Sequence, residues 1–189
     1  MRALLFRAVL VLVAGASLAF ADPALAWQSR TKSVRDGDSI DVTNADGVVV
    51  NIRLYGIDAP EAKQASGSQA KTQLTKLVAR KTVHIESVDT DRYGRNVALV
   101  RLNDGTLVNR EMIRAGLAWV YDQYCQREVV CQELRQAEAE AKGARRGLWA
   151  EPNPTAPWEW RRANKTEEWY KAPVRAVKTL VRKIKRAIH

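Results

Sequence analysis

The segment Val48 to Tyr55 alternates without a break, with Val50, Ile52 and Leu54 on one face and Asn51, Arg53 and Tyr55 on the other. That period of two describes a strand with one side on a core and the other at water. The chain around it reads as further short strands. Thr31 to Val42 is strand-like but interrupted at Asp36-Gly37-Asp38, a turn or bulge signal. Asn44 to Gly47 is a turn, Gly56 to Pro60 leaves the strand, and Thr82 to Val88 and Asn96 to Leu102 are strands around a turn at Asp89 to Arg95. A short strand is expected from Leu117 to Tyr121.

Three helices are expected among and after these strands. Ser68 to Arg80 carries the stripe Leu74, Leu77 and Val78. Leu107 to Ala115 is followed by Gly116, suited to a left-handed cap. Val130 to Arg146 is followed by Gly147, and Leu148-Trp149 returns to the body. Pro152, Pro154 and Pro157 mark a linker. Short strands with one helix among them and more after them make an α+β domain.

The N-terminal segment has a different purpose. Met1-Arg2 opens it, Ala8 to Phe20 is apolar, and two small-x-small sites follow, Ala19-Phe20-Ala21 and Ala24-Leu25-Ala26. That layout is a secretory signal peptide, with Arg7 cutting into a run already short for a membrane span. Residues 1–26 are therefore read as the signal segment, and cleavage after Ala21 or Ala26 is expected to leave a secreted or periplasmic chain that begins at Asp22 or Trp27. Residues 27–151 form the domain, and 152–189 form a Pro/Trp linker with a basic tail. In an exported chain the pair Cys125 and Cys131 suggests a disulfide. A metal pair is the alternative, but no nearby His or further Cys completes a thiolate site.

The net charge of +10 is unevenly placed. Residues 27–160 hold 19 basic and 18 acidic side chains, whereas residues 161–189 hold 10 and 2. The body is nearly neutral, so basicity alone says little about what it handles. In the tail, Val174, Val177, Val181, Ile184 and Ile188 recur at helical spacing, with Arg175, Lys178, Arg182 and Lys185 mainly opposite. This basic amphipathic helix suits an anionic membrane or nucleic-acid phosphates.

Charged residues gather at the ends of the expected elements. They are Asp36, Asp38, Arg53, Asp58, Glu61 and Arg95, with no His, Ser or Cys nucleophile among them. Carboxylates without imidazole or thiolate favour hard cations such as Ca²⁺ or Mg²⁺. Two arginines beside such a site suit a phosphodiester, because each guanidinium holds two oxygens and keeps its charge. A further carboxylate can take a proton from water. His84 reads as a structural or surface residue, and Trp119 and Trp149 as packing.

Asp36-Gly37-Asp38-Ser39, Arg53-Leu54-Tyr55-Gly56-Ile57-Asp58-Ala59-Pro60-Glu61 and Asp91-Arg92-Tyr93-Gly94-Arg95 resemble, in order and spacing, the signature blocks of the staphylococcal nuclease family. Leu107-Val108-Asn109, Gly116-Leu117-Ala118 and Gly147-Leu148-Trp149 match its later segments. The resemblance covers Thr31 to Trp149. It implies a small five-stranded OB-type β-barrel with three flanking helices. It implies a Ca²⁺-dependent endonuclease of DNA and RNA that cuts the 5′ P–O bond and leaves 3′-phosphates. Asp38, Asp58 and the backbone carbonyl of Ala59 would ligate Ca²⁺, with Asp36 acting through water. Glu61 would be the general base, and Arg53 and Arg95 would grip the phosphate. Arg92 and Tyr93 would lie near a terminal phosphate and Tyr121 near the base. The family's founding member has Thr at the place of Ala59 and Lys at the place of Arg92, and its loop matching Lys63 to Ser68 is longer. A monomer is expected. A binding module that kept the groove but lost catalysis is the alternative, and the presence of Asp38, Arg53, Asp58, Glu61 and Arg95 favours the enzyme.

Overall fold

The structure, a computed structural model, describes residues 26–165. The expected signal segment, apart from Ala26, and the amphipathic stretch Val174 to Ile188 lie outside the described residues. The order is β1 (Ala26–Val34), β2 (Ser39–Thr43), β3 (Val49–Leu54), β4 (Ile57–Asp58), α1 (Gly67–Val78), β5 (Thr82–Thr90), β6 (Asn96–Leu102), α2 (Val108–Arg114), β7 (Trp119–Val120) and α3 (Glu128–Gly143). A fourth helix, α4, covers 157–165.

Five strands close a barrel in the order β1-β2-β3-β6-β5. All neighbours are antiparallel except β3 and β6, which run parallel from Ile52 opposite Asn96 to Leu54 opposite Ala98. On the inward face of β3, Ile52 and Leu54 join Ile40, Val42, Val83, Ile85, Ala98 and Val100 in the core, and Val50 packs against it. Tyr55, expected on the water face, is buried as well, because its hydroxyl holds the Gln126 and Arg127 N–H groups at the start of α3. Helix α1 closes the barrel with Ala70, Leu74 and Val78, and α2 and α3 add Met112, Ile113, Cys131 and Leu134. The fold is the α+β, OB-type barrel that the resemblance implies, with one helix more than expected.

Where the elements differ from expectation, the cause is local. Strand β1 begins at Ala26, five residues before Thr31, because residues 26–30 pair with β5. Its fully buried residues are the polar Ser29 and Thr31, and only Trp27 and Val34 lay apolar surface on the core, so no run of apolar alternation announces it. Of the expected strand Leu117 to Tyr121, only Trp119–Val120 is extended, paired with Ile57–Asp58. Helix α3 stops at Gly143, where Arg145 turns left-handed (φ 50°) and the Arg146 N–H returns to the Ala141 carbonyl at 2.9 Å. Pro157 opens α4 rather than continuing a linker, as its missing N–H and fixed φ allow at a first helical position. Cys125 and Cys131 are joined in a disulfide, with Cα atoms 5.8 Å apart.

Candidate active site

The site is built at the mouth where β2 begins and β3 ends. Antiparallel pairing puts Ser39 opposite Arg53, which brings Asp38 beside the guanidinium. The Leu54 N–H fixes this register on the Asp38 carbonyl at 2.8 Å. After Leu54 the chain turns at Gly56 (φ 73°), and β4 carries Asp58 back past the same guanidinium. Arg53 Nη1 pairs with Asp38 Oδ2, and Nη2 pairs with Asp58 Oδ1 at 2.8 Å. Asp38 Oδ2 also accepts the Ala59 N–H at 2.7 Å, and its Oδ1 accepts the Ser39 hydroxyl at 3.1 Å. Gly37 makes this approach possible, since a Cβ there would lie 2.6 Å from the methyl groups of Ala59 and Ala70.

These charges share little water. Asp38 is 6% and Asp58 1% exposed. Burial pushes the Asp58 carboxyl up, opposed by hydrogen bonds from Arg161 and the charge of Arg53. Asp36 accepts the Asp38 N–H at 3.0 Å. Burial first, and the Asp38 charge second, push it from an ordinary 3.8 to about 6. Burial works against the Arg53 charge, but Asp38, Asp58 and Asp36 outweigh it and raise its pKa.

Glu61 stands at the edge of the cluster, and a network missed in the sequence holds it. The Glu61 N–H donates to Gln64 Oε1 at 3.1 Å, and Gln64 Nε2 donates to the Thr155 carbonyl at 2.7 Å. Gln64 thereby ties the Glu61 loop to the chain entering α4. From α4, Arg161 Nη2 donates to Asp58 Oδ2 at 2.7 Å, and Nη1 donates to Asp58 Oδ1 at 3.2 Å and Glu61 Oε1 at 2.8 Å. In the sequence Arg161 is one basic residue of the tail, with nothing beside it to mark a link to the acidic blocks. Gly67 packs against the same loop, with its would-be Cβ 2.0 Å from the Glu61 carbonyl oxygen.

Two further groups pair among themselves. In the β5–β6 turn, Asp91 Oδ2 accepts Arg95 Nε at 2.6 Å, and the guanidinium carbons of Arg92 and Arg95 lie 4.9 and 5.6 Å from the Tyr93 ring centre. Arg95 therefore pairs with Asp91 rather than with Asp58 or Glu61, and Tyr93 is 69% exposed. Beyond β7, Tyr121 stacks on Trp158 at 5.2 Å and 8°. These rings, with Val120, Asp122, Gln123 and Arg162, line an open cleft of about 410 Å³.

Among the described residues, no three His, Cys, Asp or Glu side chains are gathered into a metal-binding group. The donor chemistry nevertheless fits a hard divalent cation. Asp36, Asp38, Asp58 and Glu61 face Arg53 and Arg161, four carboxylates against two guanidiniums. All the donors are oxygens, and backbone carbonyls and water routinely complete a Ca²⁺ or Mg²⁺ shell. Oxygen donors for a hard cation beside guanidiniums that can grip phosphate oxygens are the parts a phosphodiester hydrolase needs. Known proteins agree. Residues 51–151 match the family described as staphylococcal nuclease homologue. The chain is 44% identical over 132 residues to an "Uncharacterized endonuclease" of Escherichia coli O157:H7, covering 70% of this chain and 83% of that one. It is 40% identical over 169 residues to "Protein ParB" of Escherichia coli, covering 82% and 93%. It is 37% identical over 140 residues to "Micrococcal nuclease" of Shigella flexneri, covering 70% and 79%. The chain belongs to the staphylococcal nuclease family and is a nuclease.

Proposed function

We propose that this nuclease is exported and cuts DNA and RNA internally with Ca²⁺, leaving 3′-phosphate ends. The observation that carries the reading is the buried pair Asp38 and Asp58 bridged by Arg53, with Glu61 at its rim. Asp38, Asp58 and the Ala59 carbonyl would hold the cation, which when bound offsets charge on the phosphoryl oxygens. Glu61 takes a proton from a water as its oxygen bonds to phosphorus. The bond from phosphorus to the 5′ oxygen breaks, and that oxygen takes a proton from solvent. Arg53 and Arg95 grip the non-bridging oxygens and stabilise the charge that grows on them. That role requires Arg95 to turn from Asp91 toward the substrate, and its place in an exposed turn supports this. The cleft lined by Tyr121 and the Trp158 it stacks on would receive a base, and Arg92 and Tyr93 would contact a terminal phosphate. The Cys125–Cys131 disulfide supports an oxidising compartment.

The test is digestion of single-stranded DNA and RNA with Ca²⁺, with Mg²⁺ and with chelator, alongside Glu61→Ala and Arg95→Ala. Calcium-dependent cleavage to 3′-phosphates, lowered at least about 100-fold by each substitution, is the expected result. Cleavage that survives chelation, or that Glu61→Ala leaves unchanged, removes this mechanism.

A further inference from the structure

Arg161 engages both groups that the reaction needs free. Asp58 is 1% exposed, and its oxygens are divided between two guanidiniums. Arg53 takes Oδ1, while Arg161 takes Oδ2 at 2.7 Å and shares Oδ1 at 3.2 Å. The same Arg161 holds Glu61 Oε1 at 2.8 Å. A cation that ligates Asp58 needs lone pairs these bonds use, and its double charge repels a guanidinium at hydrogen-bond distance. Arg53 is buried and pinned on both sides, with 13% of its side chain exposed. Arg161 has 36% exposed and comes from a helix outside the barrel, so it is the partner able to leave.

We propose that Arg161 is an internal counter-ion standing in for the metal, and that a divalent cation must displace it from Asp58 to bind. Helix α4 is thus a metal-responsive latch on the acidic site. This rests on the metal reading above. Loss of the grip on Asp58 releases one of the attachments of α4, and the Gln64–Thr155 bond and the packing of Trp158 on Tyr121 and Trp119 are among those that remain. The Trp158 stack is therefore a reporter of the latch. Arg161 acts as a positioning residue: it keeps two buried or half-buried carboxylates together in the metal-free protein and gives them up on loading. A latch closed about nine-tenths of the time weakens apparent cation affinity about tenfold.

Isothermal titration of Ca²⁺ into the chelator-stripped full chain, with no nucleic acid present, tests this on wild type, Arg161→Gln and Arg161→Lys. Arg161→Gln is expected to bind Ca²⁺ about tenfold more tightly. Arg161→Lys, which keeps the charge and loses the fork, is expected to fall between them and carries the test if the glutamine variant does not fold. Calcium should also change tryptophan fluorescence in wild type, and Trp158→Phe should remove most of that change. Equal or weaker Ca²⁺ binding by the folded variants overturns the latch and leaves the metal reading intact, because a merely structural Arg161 would weaken the site when lost. Absence of binding in every protein removes the metal reading and the latch with it.

Discussion

Arg53 sits between two carboxylates that exclude water, so its loss leaves Asp38 and Asp58 buried beside each other. In chelator, Arg53→Met is expected to lower stability by about 3–5 kcal/mol in urea unfolding, the cost of breaking a buried ion pair from one side. Asp36 makes a second prediction at this scale. The folded protein binds its proton more tightly than the unfolded chain, holding it to about 6 against 3.8. Its contribution is therefore greatest below pH 3.8 and is lost as pH rises through about 6. The metal-free protein should lose about 3 kcal/mol over that window from this group, and Asp36→Asn should remove that part of the slope. Asp58, also pushed up by burial, works in the same direction and remains in the variant. Asp91 and Asp41 do not interfere. Burial opposes their charge, but hydrogen bonds with their neighbours hold both low, so their effect falls below the ordinary carboxylate range.

Between elements, the demanding joint is the parallel contact of β3 with β6, where the barrel closes. Asn109 of α2 completes it from inside the core. Its Oδ1 accepts the Val100 N–H at 3.0 Å, and its Nδ2 donates to the Tyr55 and Ala98 carbonyls at 2.9 and 3.2 Å. Asn109→Leu keeps the volume but leaves these backbone groups without it. A loss of about 2–4 kcal/mol in urea unfolding is expected. The sequence marked Asn109 only as part of a family segment; nothing at the local level says that an asparagine will be buried. Helix α3 is positioned by another distant group: the Tyr55 hydroxyl accepts the N–H of Gln126 at 2.6 Å and of Arg127 at 2.9 Å. The disulfide closes the chain just there, between Cys125 and Cys131 of α3. Replacing both cysteines by Ser should cost about 2 kcal/mol in thermal or urea unfolding, since the loop is short.

For the molecule as a whole, α4 makes the barrel mouth complete. Trp158 lies against Trp119 at 6.5 Å and on Tyr121, while Trp119 meets Trp149 at 5.0 Å, so one aromatic cluster joins β7, the turn Gly147–Ala150 and α4. A chain ending at Thr155 uncovers these rings and removes Arg161. It should unfold at lower temperature, with a loss of about 2–4 kcal/mol in urea. A full chain and a truncated chain of equal stability would mean that α4 is only resting on the surface.

Legible along the chain were the strand that runs Val49–Leu54, the helix stripe of Leu74 and Val78, and the blocks that place Asp38, Arg53, Asp58 and Glu61 at element ends. Those features are local, because period, turn residues and motif spacing survive in one dimension. Tertiary structure decided what the pattern does not carry. Residues 26–30 join the barrel by pairing with β5, although the one fully buried side chain among them is the polar Ser29. Arg95, grouped with the acidic site by motif, is held instead by Asp91 four residues away. Arg161, 100 residues beyond Glu61, meets it only through the docking of α4. An ion pair between groups so far apart in the chain has no periodicity or spacing to announce it, since its partners are chosen by the folded surface that brings them together.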